Sequence, residues 1–165
     1  MRLSTVYARF YKSFNFDHLR KASPTAEPKG EWEMFRDAWY PYVEVEFDSR
    51  ITTIVGANES GKSHLLSAIE KAVSGTGFEQ RDLCRYSPFF SVERESTCWP
   101  HLGLGWTVVE PDEASTIAEI VGAVGIQFDH FMMFRETPET LDIWIPVPTK
   151  GCTTYKVVDL SMAKR

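Results

Sequence analysis

One run in this chain carries the glycines, the cation and the hydroxyl of a ligand-binding loop: Gly56, Ala57, Asn58, Glu59, Ser60, Gly61, Lys62 and Ser63. The run satisfies G-x-x-x-x-G-K-[ST] at every fixed position, the pattern of a P-loop. The chemistry such a pattern serves is polyphosphate binding. Gly56 and Gly61 allow backbone conformations that a Cβ resists, so several N–H groups can converge on phosphate oxygens. Lys62 would reach the β- and γ-phosphates as a mobile cation, and the Ser63 hydroxyl would ligate Mg²⁺. The expected ligand is therefore a nucleoside triphosphate, ATP with Mg²⁺. His64 follows Ser63 in the sequence and joins the nucleotide-binding candidates through its place on the same helical turn.

A loop of this kind needs elements on both sides to hold it. Residues 51–55 (ITTIV) are β-branched throughout and predict a short buried strand before the loop. Residues 62–74 predict a helix, because Leu65, Leu66, Ala68, Ile69, Ala72 and Val73 fall on one broad stripe. Gly75 and Gly77 end it. The positive end of that helix adds to the field on a bound phosphate.

Around this unit the chain predicts a strand over 3–10 and another over 42–47, where Val43, Val45 and Phe47 alternate with Glu44 and Glu46. Residues 15–41 are expected to be an insertion, with a short helix near 31–38 carrying Trp32, Phe35 and Trp39 on one face. Beyond residue 104 come a strand over 106–110, a helix over 111–121, and strands over 126–135, 141–147 and 154–160. Residues 1–165 are read as a single domain.

The segment ending Arg9-Phe10-Tyr11-Lys12-Ser13-Phe14, followed by VEVEF, a turn and ITTIVGANESGKSHLLSAIEKAV, resembles the ATP-binding-cassette heads of RecF, SMC and OLD-like ATPases. The loop variant G-x-N-x-x-G-K-S with a following Leu-x-x-Ala-Ile helix carries the likeness, over about residues 3–75. The resemblance implies an α/β P-loop NTPase fold, here its N-terminal half with an antiparallel β lobe and the P-loop helix. It also implies a homodimer or head-to-head dimer through the nucleotide, DNA and a downstream effector subunit as partners, and work in DNA repair, chromosome maintenance or phage defence. Arg9, Tyr11 and Lys12 match positions that contact adenine or ribose in that group.

Hydrolysis in such heads needs a magnesium carboxylate, a Q-loop glutamine and a Ser-Gly signature. Glu110, Asp129 and Asp159 are the carboxylate candidates, Gln80 and Gln127 the glutamines, and no signature run occurs. The chain is therefore expected to be part of a longer ATPase that binds ATP and is completed elsewhere. The alternatives are a non-hydrolysing regulatory or scaffold subunit, and a small P-loop kinase for which Arg81, Asp82 and Arg85 (RDLCR) would serve the acceptor side.

Composition bounds these readings. A 43% hydrophobic and 25% charged chain of 165 residues is ordinary for a globular protein. No stretch of about eighteen apolar residues occurs and the N-terminus lacks a secretory pattern, so no membrane partner and a cytoplasmic location are expected. Cys84, Cys98 and Cys152 lack zinc-ligand spacing and read as free thiols. The net charge of −5 argues against a dominant polyanion-binding face. Arg2, Arg9, Lys12, Arg20 and Lys21 are read as a solvated cluster. His18, His101 and His130 have no nucleophile setting around them.

Overall fold

The computed structural model describes residues 1–14, 25–92, 98–123, 125–149 and 152–160. Its sheet has six strands: β1 (Arg2–Arg9), β4 (Val43–Glu46), β5 (His101–Thr107), β6 (His130–Arg135), β7 (Asp142–Thr149) and β8 (Cys152–Asp159). Their order is β4-β1-β5-β6-β7-β8, and every neighbouring pair is antiparallel. The helices are α1 (Lys62–Ser74) and α2 (Pro111–Ile120).

This overturns the α/β expectation. A P-loop NTPase sheet is built on parallel strands, and among the described residues no two strands pair in parallel. The physical reason lies in residues 51–55. Their composition is that of a buried strand, yet they form none, and Ile51 and Val55 are 80% and 82% exposed. A strand needs a partner across its edge, and no described segment lies beside this one to pair with it.

Strand alternation sorts the side chains to two faces. Val6 and Ala8 of β1 lie opposite Leu104 and Leu102 of β5, and α1 lays Leu65, Ala68 and Ala72 on them as one buried cluster. Truncating Leu65 to Ala would cost about 2–5 kcal/mol, as for other buried leucines. Further along the same face α2 packs Ile117 and Ala118 against Phe131, Ile143 and Ile145. The opposite face is aromatic, with Tyr7, Phe134, Trp144 and Tyr155 around Tyr42 and Trp32. Gly103 makes this close packing possible, since a Cβ there would lie 2.4 Å from the Phe134 ring.

The expected short helix over 31–38 is instead a single 3₁₀ turn, Glu31–Glu33, followed by a two-residue hairpin of β2 (Met34–Phe35) and β3 (Ala38–Trp39). Arg36 and Asp37 turn it with φ of 50° and 61°, the paired left-handed geometry of a tight hairpin. Trp32 and Phe35 consequently part company. Trp32 meets Trp144 and Tyr155, whereas Phe35 meets Phe10, Tyr40 and Phe89. Residues 15–24 of the expected insertion, with His18, Arg20 and Lys21, lie outside the described residues.

Candidate functional site

Helix α1 begins where the sequence places it, with Lys62 as its first residue and Gly61 as its N-cap. Gly61 has φ of +91° and Glu59 a φ of +65°. Both are left-handed, a conformation cheap for glycine and costly for most others. Ser60 N–H donates to the Ala57 carbonyl at 3.3 Å, folding residues 57–60 into a turn. The first helical hydrogen bond runs from Leu65 N–H to the Gly61 carbonyl at 3.0 Å. The amides of Lys62, Ser63 and His64 precede it and have no acceptor within the helix.

No side chain caps this end, and its first turn holds no acidic residue. Lys62 instead folds back over the loop, its Nζ donating to the carbonyls of Gly56 at 2.8 Å and Ala57 at 2.5 Å, with Ser60 Oγ at 3.4 Å. A cation at the positive end of a helix is placed against the dipole. The arrangement therefore suits an anion, which would accept the free amides and neutralise Lys62 at once. A Cβ on Gly56 would come within 2.6 Å of Ser60 Oγ, so a side chain there would require the exposed Ser60 hydroxyl to turn away.

One residue beside the loop escaped the sequence reading. Ser13, just past β1, sets its Oγ 3.2 Å from His64 Nδ1, and a Cβ on Gly61 would lie 3.3 Å from the same oxygen. The end of the first strand thus braces the first turn of α1. No sequence signal announces a contact across 51 residues.

The three residues of that strand end matched to base or ribose contacts are placed differently from one another. Arg9 is fully buried. Its guanidinium donates to the carbonyls of Glu33 at 3.1 Å and Tyr40 at 2.9 Å, and to His101 Nδ1 at 3.2 Å, with Glu136 at 3.4 Å. It also stands 4.3 Å from the centre of the Tyr42 ring. Every face of this cation is directed into the protein, and it ties the 30–42 segment to the sheet. Tyr11 is buried as well, in the cluster beneath α1. Lys12 is partly exposed and pairs with Asp82 at 3.4 Å.

Asp82 is buried, and it also accepts from Lys71 Nζ and from the Glu79 amide at 3.1 Å. That carboxylate pins the segment after α1 to the helix. Arg81 pairs with Glu79, and Arg85 is exposed.

The carboxylate candidates are scattered. Glu110 is the N-cap of α2, in a reciprocal capping box with Glu113. Asp129 bonds the neighbouring His130 at 2.6 Å, which holds its carboxyl below the usual range. Asp159 lies opposite Asp142 on β7. Gln80 opens a 3₁₀ turn, Gln80–Asp82. Gln127 lines an open cavity of about 940 Å³ with Ala118, Glu119, Phe128, Asp129 and His130, and none of residues 56–63 borders it. Among the described residues no three or more His, Cys, Asp or Glu gather as metal ligands. Magnesium held here would rest on Ser63, phosphate oxygens and water.

A second polar centre surrounds His101. Its imidazole is held well below the ordinary range by burial first, then by Arg9 and Arg36. The neutral ring accepts from Arg9 at Nδ1 and lies 3.5 Å from Cys98 Sγ at Nε2. Burial pushes the Cys98 thiol up to about 11. A buried, protonated thiol is inert, so this Cys–His pair is structural.

No protein-family model matches the chain and no curated protein matches it. No helix among the described residues is long and apolar enough to cross a membrane.

Proposed function

We propose that residues 56–63 bind the triphosphate of ATP with Mg²⁺. One observation carries the reading: a full G-x-x-x-x-G-K-S run opens an uncapped helix, with its lysine folded over the loop's own carbonyls. The amides of Lys62, Ser63 and His64 would receive phosphate oxygens, and Lys62 would swing from Gly56 and Ala57 onto the β- and γ-phosphates. Ser63 would supply one oxygen to the metal. The chain acts as an ATP-binding module of the RecF, SMC and OLD-like kind, in DNA repair, chromosome maintenance or phage defence, in the cytoplasm. Dimerisation through the nucleotide, DNA and an effector subunit belong to the same proposal. Hydrolysis needs a carboxylate and a signature segment supplied from outside this chain.

Two measurements on the purified chain test it. Titration calorimetry with ATP and Mg²⁺ should give saturable binding to one site per chain. A phosphate-release assay, with and without DNA, should stay at background. Absence of any heat at millimolar ATP sinks the binding claim, and steady phosphate release from this chain alone sinks the claim of incompleteness.

A further inference from the structure

Glu59 places a carboxylate in the middle of the run 56–63, and it is the sole acid there. It is exposed, and its backbone is left-handed, with φ of +65°. Glycine would serve this position better on both counts, since it adopts that conformation without steric cost and brings no negative charge to a bound anion. The other left-handed side chains have structural duties: Phe10 is buried, Lys12 bonds Asp82, and Arg36 and Asp37 turn a hairpin. Glu59 instead adjoins Ser60 in the ring that Gly56, Ala57 and Ser60 form around Lys62 Nζ. A costly backbone carrying the wrong charge for the ligand is a reason to look for a function in the side chain.

Building on the nucleotide reading above, we propose that Glu59 makes the loop select magnesium-bound over metal-free triphosphate, by charge repulsion. Free ATP carries about four negative charges above pH 7, because its terminal phosphate loses its last proton near pH 6, and Mg²⁺ cancels two of them. Repulsion from one carboxylate therefore falls about twice as heavily on the metal-free nucleotide. Glu59 is exposed, so water and salt limit the effect to about fivefold in relative affinity. Ser63 supplies the attractive half of this choice, as an oxygen for the metal. Glu59 supplies the repulsive half, by penalising a nucleotide that arrives without it.

Calorimetric titrations with ATP, in excess Mg²⁺ and in EDTA, measure the preference as the ratio of the two dissociation constants. Glu59→Gln, which removes the charge and keeps the length of the side chain, should lower that ratio by about fivefold, through tighter binding of metal-free ATP. Glu59→Asp, which keeps the charge, should retain the wild-type ratio. Raising the salt from roughly 50 to 500 mM should shrink the difference between wild type and Glu59→Gln, as for any exposed charge. Melting curves check that both variants fold. A ratio unchanged in Glu59→Gln overturns the proposal, as does the same fall in Glu59→Asp or a difference indifferent to salt. A ratio that falls because magnesium-bound ATP is held more weakly also overturns it, and makes Glu59 part of the metal's surroundings. These outcomes leave the nucleotide site standing; a wild-type chain that binds neither form of ATP sinks that reading and this inference together.

Discussion

The two α-helices among the described residues begin in opposite ways. Helix α2 satisfies its own N-terminus: Glu110 and Glu113 form a reciprocal capping box, and Pro111 occupies the first turn with no N–H to satisfy. Glu113 accepts from the Val109 and Glu110 amides at 3.1 and 3.2 Å and pairs with the Met1 ammonium. Helix α1 has no side-chain cap, no acid in its first turn and a lysine at its first position. Each feature leaves α1 less well satisfied alone than α2. The positive end of α1 is thereby kept open, which suits a ligand that brings its own negative charge.

Removing the cation should separate the two ends most sharply. Lys62→Ala is expected to lower ATP affinity by at least about 100-fold, roughly 2.7 kcal/mol, in a calorimetric titration. Its melting point without nucleotide should stay close to the wild-type value, since the Nζ bonds of Lys62 run to the exposed loop at Gly56, Ala57 and Ser60. A change confined to stability would make α1 merely a differently capped helix.

Gly61→Ala comes next. The left-handed φ of +91° and the 3.3 Å approach to Ser13 Oγ both oppose a methyl group. The expected cost is about 1–2 kcal/mol in a thermal melt, with roughly a tenfold loss of ATP affinity from the disturbed loop.

At α2 the prediction inverts. Glu113→Gln should lower the melting point at neutral pH and leave ATP affinity unchanged. The Met1 ammonium first, then the Val109 and Glu110 amides, hold the Glu113 carboxyl below its ordinary value of 4.5. A depressed carboxyl stabilises the fold above its unfolded value, and that contribution disappears as pH falls through the folded one. The gap between wild type and variant should therefore close below about pH 4.5, where the unfolded carboxyl takes up its proton. Melting curves taken down the pH scale read this directly.

Ser13→Ala should be the mildest change. It removes the brace on His64 at an exposed site, so less than about 1 kcal/mol of stability and a few-fold in affinity are expected. Melting and titration of the same variant measure both.

The legible parts of this molecule were local ones. The helix Lys62–Ser74 followed from its apolar stripe and its two terminal glycines, and the loop from fixed positions within eight residues. What stayed hidden was non-local. Residues 51–55 have strand propensity, but a strand exists only where another backbone lies beside it. Arginine is a mostly exposed residue type, yet Arg9 is buried because carbonyls from Glu33 and Tyr40, distant in sequence, converge on it. Ser13 reaches the loop for the same kind of reason. The aromatic spacing of Trp32, Phe35 and Trp39 suggested a helix face; the tight turn at Arg36 and Asp37 outweighed that periodicity.

The most direct test of the account is a titration of the isotope-labelled chain with ATP and Mg²⁺, followed amide by amide by nuclear magnetic resonance. The account predicts large shifts at residues 57–64, strongest at Lys62, Ser63 and His64, with the first-turn amides of α2 at Asp112 and Glu113 unmoved. Silent loop amides at saturating ATP, or shifts gathered at α2 instead, would contradict it.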